Sequence, residues 1–189
     1  MKARFALVLV ALLPLGCGQA PVKPQGTAPA PQNAQTAIAS FMLSSPAFAD
    51  NEAIPDKYSG KDTNYSPPLN WYDPPKRTKA YVLIVEDPDA PMGTFTHWVA
   101  YNIPGTTTRL DENVLKEEAL PDGTRQLKND AGRVGYTGPM PPPGKVHHYV
   151  FCLYALDQEL NPVGDKTFLL NAMQGHVIGL GKLTGTYRR

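Results

Sequence analysis

Proline and glycine punctuate this chain too densely for a bundle of long helices. Turn signals stand at Ser66-Pro67-Pro68, Asp73-Pro74-Pro75, Pro104-Gly105, Pro121-Asp122-Gly123 and Pro141-Pro142-Pro143-Gly144. Proline removes a backbone donor and glycine favours bends, so 20 prolines and 16 glycines fit many short strands joined by turns. Between the turns lie apolar runs of strand length. Residues Tyr81 to Glu86 are β-branched and apolar on both faces. A second run, Thr94 to Ile103, alternates Phe95, His97, Val99, Tyr101 and Ile103. A third, Val146 to Leu156, puts His147, Tyr149, Phe151, Leu153 and Ala155 on one face. Such runs predict central strands covered on two sides. Two helices are predicted: Asn113 to Leu120, stopped by Pro121, and Lys166 to Gly179, with Phe168, Leu169, Ala172, Met173 and His176 at helical spacing. The expectation is a mainly β chain, a β-sandwich with peripheral helices.

The first residues predict targeting rather than fold. Lys2 and Arg4 precede an apolar stretch, Phe5 to Leu15, too short to span a bilayer as a helix. The run Leu13-Pro14-Leu15-Gly16-Cys17 resembles a bacterial lipoprotein signal, with residues 1–16 as signal peptide and Cys17 as the acylated first residue. It departs from that pattern at Pro14, where leucine is usual. Gly18 is not the aspartate that often retains lipoproteins in the inner membrane, which favours the outer membrane in a Gram-negative source. The alternative is cleavage after Gly18-Gln19-Ala20, giving a soluble periplasmic or secreted protein with Pro21 just past the cut. Residues 17–40 are rich in Pro, Ala and Gln and predict a flexible tether. The folded domain is expected over residues 41–189. The formal net charge of +1 gives no electrostatic case for nucleic acid. Cys152, in an apolar run, reads as a buried thiol.

Three places can carry chemistry. Asp87-Pro88-Asp89-Ala90-Pro91 puts two carboxylates in a stiff loop at a strand end; it reads either as a binding loop or as an Asx turn. His97 sits inside an apolar strand, as a site residue or as a hydrogen-bonded core histidine. The proline-rich loop after Gly135-Tyr136-Thr137-Gly138-Pro139 leads into His147-His148-Tyr149. His147 and Tyr149 share a face; His148 faces the other way and reads as a surface residue. No Gly-x-Ser-x-Gly nucleophile motif occurs, and adjacent histidines on opposite faces cannot easily grip one metal ion. No enzyme activity, metal or cofactor is expected.

These segments together resemble the phosphatidylethanolamine-binding proteins, most closely the bacterial branch called Raf-kinase-inhibitor-like. The resemblance rests on Asp87-Pro88-Asp89-Ala90-Pro91, His97-Trp98, Asn102-Ile103-Pro104 and the stretch from Gly135 to Tyr149. Ser44-Pro46-Phe48, Ile54-Pro55, Ser66-Pro67-Pro68-Leu69 and Trp71 extend it toward the N-terminus. Gly175-His176-Val177, Leu183 and Gly185-Thr186-Tyr187 look like that branch's C-terminal helix and tail. The resemblance implies an antiparallel β-sandwich, a large central sheet plus a smaller one. It also implies an anion pocket from Asp87, His97, Pro142, His147 and Tyr149, with Asp89 on the rim. Pro141 or Pro143 could take the place of Pro142. Asp87 would either orient a histidine or accept a proton from a ligand ammonium. The implied role is non-enzymatic binding of a phosphoryl or phospholipid head group by a membrane-tethered protein. Inhibition of an envelope protease, or another protein partner, is the alternative, and hydrolase activity a more distant one.

Overall fold

The computed structural model describes residues 37–189. The expected signal peptide, Cys17 and most of the tether lie outside the described residues. Nine strands form two sheets among the described residues. The large sheet contains β1 (Ala39–Ser40), β4 (Ala80–Asp87), β5 (Phe95–Pro104), β7 (Arg125–Gln126), β8 (His147–Leu156) and β9 (Val177–Tyr187), in the order β1-β9-β8-β4-β5-β7. The small sheet is β2 (Met42–Ser44), β3 (Leu69–Tyr72) and β6 (Arg109–Leu110), in the order β2-β3-β6.

The two-sheet architecture is the expected one. The large sheet is mixed rather than wholly antiparallel, because β1 runs parallel to β9. That pairing also draws Ala39 and Ser40, assigned to the tether from sequence, into the fold. Between the sheets lies a core that includes Trp71, Tyr81, Trp98, Phe151 and Leu153, all buried. The opposite face of the large sheet presents Val82, Ile84, Val99 and Tyr101 to Leu169 and Met173, from helix α1 (Lys166–Ala172) and its C-cap. Strands β4 and β5 are thus covered on both sides, as their two-faced apolar runs require. Cys152 lies on this second face and is only half-buried.

Two helix expectations are corrected. Residues 113–120 form no helix. Asn113 takes a left-handed backbone (φ 60°), and the Val114 N–H donates to Ser66 Oγ. Gln126 Nε2 donates to the carbonyls of Leu115 and Glu117, occupying acceptors that a helix would use. An eight-residue helix is too weakly cooperative to compete. Helix α1 covers only the first half of the other predicted segment. Gly175, at φ 79°, turns the chain, and what reads as helix and tail continues as the eleven-residue strand β9 between β1 and β8.

One departure from regular geometry positions the site. Strand β5 carries two bulges against β4, one between the Val85–Trp98 and Glu86–Thr96 pairs, the other between Tyr81–Ile103 and Leu83–Ala100. Each inserts one extra residue and reverses the alternation. The single face expected for Phe95, His97, Val99, Tyr101 and Ile103 is therefore divided. Val99 and Tyr101 pack on the helix side, whereas Trp98, Ala100 and Ile103 join the inter-sheet core. His97 stays on the side of Phe95 and packs against Tyr149 of β8.

Candidate functional site

Three strands deliver polar side chains to one end of the inter-sheet face. Asp87 is the last residue of β4, in phase with Tyr81, Leu83 and Val85. His147 and Tyr149 begin β8 on the face of Phe151 and Leu153. His97 arrives from β5 through the bulge. All four are buried.

The hydrogen bonds assign a role to each group. Asp87 Oδ2 accepts from His147 Nδ1 at 2.7 Å, and Asp87 Oδ1 accepts the Asp89 N–H at 2.8 Å. The Asx turn and the site role therefore coexist, each using one oxygen. Asp87 orients His147 through Nδ1, and the other ring nitrogen has no hydrogen-bond partner among the described residues. His97 Nδ1 donates to the Thr137 carbonyl at 2.7 Å, while the Thr137 N–H donates to the His97 carbonyl at 2.9 Å. The His97 ring lies between Phe95 and Tyr149, with centroids 4.9 and 5.0 Å away. Burial lowers its pKa from 6.5; the Thr137 bond and the charges of Asp87 and Asp130 oppose that shift, and His147 adds to it. The Tyr149 hydroxyl is buried and has no hydrogen-bond partner among the described residues. Burial raises its pKa, and the neighbouring Asp87 carboxylate raises it further.

These groups line a cavity of about 410 Å³, a volume suited to a small organic ligand. Of the residues expected at the site, Asp87, His97, Pro142, His147 and Tyr149 all line it. Pro141 lines it as well, and Pro143 does not. Asp89 is not brought in. It lies on the outer side, 42% exposed, where Oδ2 accepts both the His148 N–H and His148 Nδ1. Those two bonds hold its carboxyl below the usual range. The period of two along β8 explains the separation: His147 takes Asp87 inward and His148 takes Asp89 outward.

The sequence reading missed Asn129 and Arg133. Asn129 is buried; its Nδ2 donates to Thr137 Oγ1 and to the carbonyls of Gly135 and His97. Its Oδ1 accepts from the Ala131 and Arg133 N–H groups. One amide thus ties the 129–137 loop to the strand that carries His97. In sequence, Asn129-Asp130-Ala131-Gly132 reads as an ordinary turn, and nothing marks the first residue as buried. Arg133 is an exposed cation on the cavity wall. No serine or cysteine lines the cavity. Among the described residues no three His, Cys, Asp or Glu side chains are grouped to hold a metal ion.

Comparison with known proteins agrees with this geometry. A sequence profile described as phosphatidylethanolamine-binding protein matches residues 44–188, the greater part of the chain. The chain belongs to the phosphatidylethanolamine-binding protein family. A UPF0098 protein of Methanothermobacter thermautotrophicus is 50% identical over 149 residues, covering 78% of this chain and 98% of the relative. A solved putative homologue of the family from Chlamydia trachomatis superposes with a TM-score of 0.72 at 39% identity, covering 79% of this chain and 98% of that one. The E. coli protein YbcL, described as a member of the mammalian family, gives 0.73 at 31% identity, covering 80% and 99%. This chain is therefore a binding protein of the phosphatidylethanolamine-binding family, and its cavity lies within the matched region.

Proposed function

We propose that this family member binds a small phosphate-type anion, free or carried on a head group, at the end of the cavity bounded by Asp87, His97, His147 and Tyr149. We also propose that it does so without catalysis, held at a bacterial membrane by an acylated Cys17. The convergence of Asp87, His97, His147 and Tyr149 on one cavity carries the first reading. Asp87 holds the His147 ring through Nδ1, and an imidazole that carries hydrogen on its other nitrogen as well donates to an anion. Asp87 itself makes no direct contact with an anion, because its own charge repels one.

The binding test is a melting curve with phosphoethanolamine. At tenfold excess over Kd the native state gains about 1.4 kcal/mol. Tyr149→Phe and His147→Ala are expected to abolish the gain, and His148→Ala to keep it. A flat Tm at millimolar ligand contradicts the reading. Turnover of a phosphoester that disappears in His97→Ala would contradict the absence of catalysis. The anchor is tested by palmitate labelling of the full chain, expected to vanish in Cys17→Ser; labelling that persists would rule out acylation at this residue.

A further inference from the structure

A neutral imidazole has two forms, and the cavity wall selects one of them at His97. A carbonyl oxygen only accepts, and the Thr137 carbonyl stands 2.7 Å from His97 Nδ1, so Nδ1 carries the hydrogen. Nε2 then keeps its lone pair, and it is the nitrogen left for whatever enters the cavity that His97 lines. This is not the default form, since an imidazole free in water favours hydrogen on Nε2. The hydrogen bond at one nitrogen dictates the state of the other. The character of His97 therefore depends on where the Thr137 carbonyl is held.

One side chain holds it. Asn129 is 4% exposed. Its Oδ1 accepts the N–H groups of Ala131 and Arg133 at 3.0 and 3.2 Å. Its Nδ2 faces Thr137 Oγ1 and the Gly135 carbonyl at 2.9 Å each, and the His97 carbonyl at 3.3 Å. A flipped amide would set oxygen against two carbonyls and nitrogen against two N–H groups, so these partners fix its orientation. The amide thus grips both residues of the His97–Thr137 contact. We propose that Asn129 is a positioning residue for the cavity: it holds Thr137 beside His97 and so fixes His97 with hydrogen on Nδ1 and an acceptor at Nε2. The loop has a separate attachment, because Asp130 Oδ2 accepts the Thr96 N–H at 2.6 Å and the Asp130 N–H donates to the Thr96 carbonyl at 3.0 Å. Loss of the Asn129 amide therefore frees Thr137 without releasing the whole loop. The inference concerns the protein alone and holds whichever ligand the cavity takes.

The test reads the histidine nitrogens of the full-length protein, without ligand, by long-range proton–nitrogen NMR at about pH 8, where histidines of ordinary pKa are neutral. Wild type is expected to show His97 with hydrogen on Nδ1 and none on Nε2. In Asn129→Ala the Nε2–H form should become the major one. Leu169→Ala, a cavity in the core on the helix side of the large sheet, is the control for general loosening and should keep the wild-type pattern. If Asn129→Ala does not fold, Asn129→Asp takes its place. It keeps the shape and the acceptor oxygen and has no hydrogen for Thr137, and the same change is expected. The pH titration gives a second readout. The titratable groups that act on His97 are Asp87 from β4, His147 and Tyr149 from β8, and Asp130 from the loop. Burial lowers the His97 pKa and the Thr137 bond opposes that shift, so the pKa should fall further in Asn129→Ala. A wild-type nitrogen pattern in a folded Asn129 variant would overturn the inference. So would the same change of pattern in Leu169→Ala, which would trace it to loosening rather than to the amide.

Discussion

Asp87 and Asp89 are two residues apart and do different work. One carboxylate is sealed against His147 in the cavity wall, the other clamps the loop to the outside of β8 through His148. The sequence motif shows both acids, but their separation depends on which neighbour each meets across the sheet. His97 gives a pH-dependent consequence. Its pKa in the folded protein is below 6.5, so below that pH the unfolded chain binds the proton first. Stability is full above about pH 6.5, where both states are neutral. It is lost as pH falls from there to the folded pKa, and the loss is complete below it. Urea midpoints should therefore decline between pH 7.5 and 5.5, less steeply in His97→Asn than in the wild type. Identical slopes in the two proteins would show that His97 titrates alike in both states.

At the scale of elements, the strands with strong alternation were legible and the glycine-rich one was not. Strands β4 and β8 follow their sequence patterns closely. Strand β9 is Val-Ile-Gly-Leu-Gly-Lys-Leu-Thr-Gly-Thr-Tyr, and glycine is depleted in strands. Here the glycines make room for chain crossing the sheet. A Cβ on Gly181 would lie 2.9 Å from the Phe41 ring, and one on Gly185 2.5 Å from Ile54. Gly185→Val should cost about 1–3 kcal/mol by overpacking, read as a lower urea midpoint; an unchanged midpoint would mean that Ile54 and Phe48 are free to move aside. The false helix at 113–120 has a matching cause. Its backbone acceptors are taken by Gln126, a partner brought close only by the tertiary fold. The bulges in β5 were equally hidden, because a one-residue insertion leaves no compositional trace. They decide that His97 faces the cavity while Val99 faces the helix.

At the scale of the molecule, the candidate site depends on three segments far apart in sequence meeting at one end of one sheet. Its main residues could be read because a strand histidine, a stiff acidic loop and a His-x-Tyr pair are chemically conspicuous. Asn129 and Arg133 could not, because their roles exist only once the loop has folded. The most direct measurement is an NMR titration of the four histidine side chains with inorganic phosphate. His97 and His147 line the cavity, whereas His148 and His176 are bonded elsewhere, to Asp89 and Asp157. The account predicts saturable shifts at His97 and His147, with His148 and His176 unmoved. Shifts confined to His148 or His176, or no saturable shift at any of the four, would contradict it.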